Sequence, residues 1–450
     1  MKTFILSSVI FLLWLTSYSQ NSSILDQYVA MGIERNTALQ EQVLDVESSL
    51  ESLRQAKGLF LPQISLNSSY MRAQGGRGIE IPVGDLINPI YHNLNALSDQ
   101  NQFPTNLANE EFQLLPDNFH DTRIEMRQPI FNAEIYHNYR LKGSLVDIQD
   151  SKRQTYQQEL IKELKTGYYQ YLSALSVEQI YQNTRHLLQE LLRVNRSLVE
   201  NHKATIDAVY RAEFEISEID SKLAQAAKTV SVSRSYFNFL LNRDLNDPIE
   251  VDSNLVLIQD YVKDLIKLQE QALERRSELD QLEYAIESQT HLLNLHRGQK
   301  LPNLSLGAQA GYQGFGYDFS DSQDYALLSI NLEIPLFNGF QNNSRVQQSK
   351  IALNKLQLQQ QALENQIKLE VIEATHNFQA ARASYEAAIA AASSAQKNFD
   401  IVSRKYRENL VLLVEFLDAR TKYTNSQTSQ AIAYYQLLIS EAQLERAASL

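Results

Sequence analysis

Few residues in this chain are suited to chemistry. Its eight histidines are scattered, and none joins carboxylates at metal-ligand spacing on one helix face. There is no cysteine, which excludes disulfides, thiolate metal sites and acylation at a lipobox cysteine. A Walker motif, a dinucleotide-binding glycine loop and a nucleophile elbow are all absent. The glycine-rich "GGRG" at 75–78 stands beside a strand-like segment with no helix expected to follow, so it reads as a loop rather than a phosphate cradle. Glu415 and Asp418 are three residues apart and share one helix face; taken alone, such a pair is a solvated surface. The sequence therefore predicts no enzyme, no metal and no cofactor, and function must rest on architecture.

The chain has 450 residues and a formal net charge of -12. An acidic balance argues against nucleic acid as a partner. The first residues, "MKTFILSSVIFLLWLTSYSQ", give a positive Lys2, a short apolar core from Phe4 to Leu15 and a small-residue exit at Ser17 to Ser19. That is the pattern of a secretory signal peptide, expected over 1–19; its apolar run is too short to span a bilayer as a helix. No later segment is an uninterrupted apolar run long enough for a membrane helix, a test that says nothing about β-barrels.

The chain is written twice. Glu34-Arg35-Asn36-Thr37 corresponds to Glu274-Arg275-Arg276-Ser277, and Pro62 to Pro302, each pair 240 positions apart. "RQPIFN" at 127–132 then matches "EIPLFN" at 333–338, and both halves read "EN" near 200 and 408. One unit, ordered helix, strand, strand, long helix, turn, helix, is repeated. The expected division is a first repeat over 20–247 and a second over 248–450. The first would hold strands near 62–71 and 121–131 and long helices over 133–200 and 204–243. The second would hold strands near 302–313 and 325–335 and long helices over 341–408 and 411–448. Gln341 to Leu450 contains neither glycine nor proline and is rich in good helix formers. A helix over 342–408 would be on the order of 100 Å long, which predicts an elongated rod or tube. "AARASYEAAIAAASSAQ" at 380–396 lacks the large apolar a and d residues of an ordinary coiled coil.

The strands alternate. Leu304, Leu306, Ala308, Ala310 and Tyr312 interleave with polar or small residues, and Leu328, Ile330, Leu332 and Ile334 do the same. Ile64, Leu66 and Tyr70, then Thr122, Ile124 and Met126, carry a weaker version in the first half. Period two puts one set on each face. Segments of about ten residues can cross an outer membrane as tilted strands, their apolar face toward outer membrane lipid. Pro129 and Pro335 are expected where strand gives way to helix. Four strands cannot close a barrel, since the smallest have about eight, so several chains must pool theirs.

Taken together, "LPQISL", "LPNLSL", "IPLFNG" and especially "YRENLVLLVEFLDARTKYTNSQ" at 406–427 resemble the TolC-like outer membrane efflux family. Their order, spacing and duplication carry the resemblance over essentially the whole chain after the signal. It implies a mainly α protein with a membrane β-barrel: a homotrimer forming a 12-stranded barrel in the outer membrane on a long α-helical periplasmic tunnel of 12 helices. It also implies a passive exit duct, for efflux or type I secretion, driven by an inner-membrane transporter through a periplasmic adaptor. The family's tip-turn glycine corresponds to Asn201 in the first half and Asn409 in the second; asparagine tolerates the left-handed conformation better than most residues. The arginine that latches the closed tip corresponds to Val411, while its partners correspond to Asp207 and Tyr406. Arg407 and Lys203 are nearby cations that could rebuild the latch. Glu415 and Asp418 correspond to acidic positions lining the tunnel entrance, where a trimer would assemble a ring of carboxylates. The stretch from Met71 to Asp121 is far longer than its counterpart from Gly314 to Asp324 and too apolar for a linker, so it is expected to restrict the extracellular mouth. The alternative from another class is an exported coiled-coil structural or adhesin protein without a pore.

Overall fold

The computed structural model describes residues 23–98, 100–252 and 264–450. The expected signal peptide lies outside the described residues, as does the stretch 253–263 just past the expected repeat boundary. The first half contains α1 (Ile24–Arg35), α2 (Thr37–Gly58), β1 (Gln63–Met71), β2 (Gly78–Ile81), α3 (Val83–Ser98), β3 (Glu110–Gln113), β4 (Phe119–Phe131), α4 (Ala133–Glu200) and α5 (Asp207–Leu240). The second contains α6 (Leu265–Arg275), α7 (Ser277–Gly298), β5 (Asn303–Phe315), β6 (Asp324–Glu333), α8 (Gln341–Arg407) and α9 (Leu413–Ala448).

Two compact units emerge, and neither is a sequence half. A helical unit takes the stretch up to Ser48 with Val146–Ala285 and Lys355–Leu450; a strand unit takes Ser49–Leu145 and Ile286–Asn354. Each half contributes to both, because each sends its strands to one unit and most of its long helix pair to the other.

In the helical unit the two halves build matching cores. Leu25, Tyr28, Leu160, Leu164, Tyr168 and Phe237 pack α1 against α4 and α5. Leu268, Ala272, Ile367, Val371 and Leu444 pack α6 against α8 and α9. The break between each short helix and its long successor is stabilised differently. Buried Asn36 accepts from the Leu39 amide at 3.0 Å, satisfying an orphan donor of the helix start, and donates to the Leu240 carbonyl at 3.1 Å. The corresponding residue of the second half is buried Arg276, which pairs with Glu278 at 2.6 Å and Glu370 at 2.5 Å.

In the strand unit β1, β4, β5 and β6 form one antiparallel sheet in the order β1-β4-β5-β6. Register places Ile64 opposite Met126, Leu66 opposite Ile124, Ala308 opposite Leu328 and Leu306 opposite Ile330, so the apolar residues share one face. Among the described residues nothing covers that face: Leu66 is 71% exposed and Ile330 73%. The opposite face carries Asp121, Arg123, Glu125 and Arg127, with Arg123 3.8 Å from Glu125. The outer edges of β1 and β6 pair with no strand among the described residues. Pro129 does not end its strand. It sits within β4 at a register shift between Pro129 and Phe131, where a residue without an N–H is tolerated. Pro335 lies between β6 and α8.

The connection from β1 to β4 is a folded insertion rather than a loop. β2 and β3 pair antiparallel, and α3 lies between them in sequence. This corrects the simple repeat unit, and it corrects the reading of "GGRG" as having no following helix. Gly75 and Gly76 adopt positive φ and turn the chain into β2, and α3 begins at Val83.

Candidate functional site

The turns between the paired long helices hold the residues singled out in the sequence. Both end their preceding helices in a Schellman motif. After α8, the Leu410 amide donates to the Lys405 carbonyl at 2.8 Å and the Asn409 amide to the Tyr406 carbonyl at 3.0 Å, with Asn409 at φ 57°. After α4, the Lys203 amide donates to the Leu198 carbonyl at 2.8 Å and the His202 amide to the Val199 carbonyl at 3.0 Å. The left-handed residue here is His202, at φ 54°, not Asn201. Asn201 caps the helix one position earlier, its side-chain amide donating to the Ser197 carbonyl at 2.7 Å. The "EN" pairs therefore correspond in sequence but not in role.

An apolar cluster holds the four helices together behind the turns: Leu188, Leu191, Ala212, Ile219, Phe399 and Phe416. Tyr406 packs on Phe416 with ring centroids 5.0 Å apart, and its hydroxyl donates to Asn195 Oδ1 at 2.9 Å. Burial holds this phenol above its usual range, only partly offset by that hydrogen bond, so it stays a donor. Asp207 is elsewhere: it opens α5, accepts from the Thr205 hydroxyl and lies 3.7 Å from Arg211. Tyr406 and Asp207 are thus not joined within one chain. Arg407 donates to the Ser403 carbonyl at 3.4 Å.

Glu415 and Asp418 are both exposed. Glu415 stands in the first turn of α9, where the helix dipole favours a carboxylate. Asp418 is paired one turn on with Lys422 at 2.8 Å. A groove of about 640 Å³ between α5 and α9 brings Asp418 together with Asp207, Arg211, Tyr210, Phe214 and Val414. Behind it, buried Arg420 pairs with Glu215 and ties α9 to α5. Sequence reasoning passed over Asn195, Arg420 and Lys422. Only Lys422 left a readable signal, its four-residue spacing from Asp418.

A second polar cluster lies further along the helical unit. A cavity of about 770 Å³ is lined by Lys152, Glu159, Arg276, Glu278, Glu370 and Arg446, among others. Glu278 receives both Arg276 and Arg446, each at 2.6 Å. Burial opposes its charge, but the two guanidinium hydrogen bonds prevail and hold its carboxyl at about 2.

These features agree with known proteins. The family described as outer membrane efflux protein matches residues 268–449. The outer membrane protein TolC of Escherichia coli is 23% identical over 96% of this chain and 83% of its own length. That of Salmonella enteritidis is 22% identical over 92% and 79%. Over nearly its whole length the chain is similar to the TolC-like outer membrane efflux proteins. Solved structures share its fold. The Campylobacter jejuni CmeC outer membrane channel superposes with a TM-score of 0.77 at 15% identity, over 94% of this chain and 85% of that one. The open state of the Neisseria gonorrhoeae MtrE outer membrane channel gives 0.75 at 15%, over 95% and 89%. This TolC-like protein is accordingly an outer membrane efflux channel with a large periplasmic part, and not an enzyme.

Proposed function

We propose that three copies of this TolC-like chain assemble into the exit duct of a tripartite efflux or type I secretion system. The observation that carries the proposal is the four-stranded sheet with two unpaired edges and an uncovered apolar face. An open edge exposes a row of unpaired backbone groups that lipid cannot satisfy. Joining β6 of one chain to β1 of the next removes every edge once three copies close a 12-stranded barrel, with Ile64, Leu66, Leu328 and Ile330 facing outer membrane lipid. The small-residue stretch 380–396 of α8, buried only at Ala392 in the single chain, fits close packing by a neighbour in the periplasmic tunnel. Nothing in the chain supplies energy, so an inner-membrane transporter, coupled through a periplasmic adaptor, drives the substrate. A pore-free adhesin would have no use for such a sheet. Native mass measurement of the detergent-extracted protein should give a trimer; a stable monomer would end this reading.

The tip turns near Asn201, His202 and Asn409 form the periplasmic entrance in this proposal. The groove holding Asp207 and Asp418 is the surface a neighbouring helix pair would meet, and Val411 supplies no cation there. Closure then rests on Tyr406, which holds α8 to α4 through Asn195, and on Asp207 with Arg211. Tyr406→Phe and Asp207→Ala should each shift the gate toward open. One lost hydrogen bond is worth about 1 kcal/mol, a roughly five-fold change in the open-to-closed ratio. Single-channel recording in planar bilayers reads that ratio directly; unchanged gating in both variants would remove these residues from the latch.

A further inference from the structure

The insertion between β1 and β4 holds a helix turned the unexpected way round. The polar and small side of α3 faces its own chain. The Asn88 side-chain amide donates to the Leu107 carbonyl at 2.8 Å, and the Leu107 amide donates back to Asn88 Oδ1 at 2.8 Å. Asn95 repeats this reciprocal pair with Phe103, at 2.7 and 2.9 Å. Tyr91 stacks on Phe103 with centroids 5.3 Å apart. Gly84 lies so close to the return segment that a Cβ there would stand 2.2 Å from the Leu107 carbonyl oxygen. Asn109 adds bonds to Asp85 at 3.0 Å and Glu80 at 2.7 Å. With that side fixed, the helix cannot roll its apolar side inward.

The outward side carries Leu86, Ile90, Asn93 and Leu97, with Leu94 beside them, all exposed. Leu86 is 65% exposed, Ile90 56% and Leu97 84%. Their spacing of four, three and four residues is the seam of a self-associating helix, and a single asparagine in such a seam pairs with its own copies. Between Val83 and Ser98 the only charged residue at neutral pH, with histidine neutral, is Asp85, and there is no lysine or arginine. A helix lying on a lipid surface carries basic residues on its polar face, and Asn93 would have no partner in hydrocarbon. The insertion also springs from β1, the edge strand at which the next chain must join, at the end of the sheet away from the helices α2 and α4 that flank it in sequence.

We propose that α3 associates with the α3 of the two other copies through the Leu86–Ile90–Asn93–Leu97 seam, forming a three-helix cap over the outer end of the barrel. This rests on the trimeric reading above, and it makes the outer mouth a second restriction independent of the periplasmic tips.

The absence of cysteine makes the test direct. Ile90→Cys is introduced into the full chain, and the assembled protein is treated with a short trifunctional maleimide. The expected result is a covalent trimer on a denaturing gel, with none from His92→Cys, which points away from the seam. Replacing Leu86, Ile90 and Leu97 together with Ser should abolish a separate property of the cap, raising single-channel conductance roughly two-fold or more. Absence of the covalent trimer from protein that native mass shows to be trimeric would overturn the cap and leave the duct intact. So would an Ile90→Cys that is reached by lipid-soluble but not water-soluble maleimide without cross-linking, which would assign the seam to lipid. A monomer by native mass would overturn both.

Discussion

Glu278→Ala should cost this protein about 3–5 kcal/mol of stability, the cost of leaving buried charges without their counterion. Arg276 is buried, the Arg446 side chain is only 10% exposed, and both converge on this one carboxylate. Arg276 would keep Glu370, and Arg446 would keep Glu159 at 3.4 Å, but each would lose its shortest or second-shortest charged contact. Glu278→Gln should fall between, since an amide can accept from one guanidinium yet neutralises neither. The wild-type contribution depends on pH in a defined direction. The folded-state pKa of Glu278, at about 2, lies below its unfolded value near 4.5. The unfolded chain therefore binds more protons in that interval, so stability is fully present above about pH 4.5 and is lost as pH falls toward 2. Denaturant unfolding of the detergent-solubilised protein between pH 7 and pH 3 measures both effects. If the two variants unfold at the wild-type midpoint, or if acid leaves the wild type and Glu278→Ala equally separated, the cluster does not stabilise the fold in this way.

Replacing Glu415 and Asp418 with Ala should reduce cation selectivity at the periplasmic entrance and weaken block by multivalent cations. A carboxylate about 10 Å from a passing ion contributes roughly 0.1 kcal/mol after screening at physiological salt. Two from each chain of the proposed trimer then raise cation occupancy roughly three-fold and lower anion occupancy by a similar factor, so the cation-to-anion balance shifts by roughly ten-fold. At 0.01 M salt the screening length grows nearly four-fold, and the same charges raise cation occupancy alone by roughly twenty-fold. Lys422 sharpens the test. It sits 2.8 Å from Asp418, so the double variant leaves an uncompensated ammonium at the entrance and should pass beyond neutrality toward anion preference. Adding Lys422→Ala should bring it back to little preference, while Lys422→Ala alone should increase cation preference over the wild type. Reversal potentials in asymmetric salt read all four states. A double variant with undiminished cation preference at low salt would return Glu415 and Asp418 to the status of an ordinary solvated helix face.

The features legible in the sequence are those fixed by neighbours along the chain. Strand alternation at Leu304 to Tyr312 and Leu328 to Leu332 depends only on period two, and the apolar members lie on one face of β5 and β6. The 240-residue repeat recurs in the bounds of α2 and α7 because each break is set locally, by an extended residue between two helices. The absence of glycine and proline from 341–450 leaves helix as the backbone's best local choice. What only the tertiary structure decided lies where the local preference is weak or points the other way. Pro89 and three asparagines argue against helix over 83–98, and α3 exists because Asn88 and Asn95 hydrogen-bond a segment that returns from further along the chain. His202 rather than Asn201 takes the left-handed turn, because the Schellman bonds count from the last helical carbonyl and not from residue type. Tyr406 finds Asn195 on another helix 211 positions away, and Arg420 finds Glu215 across 205. No spacing along the chain predicts such pairs, since they form only when packing of the apolar cluster brings four helices side by side.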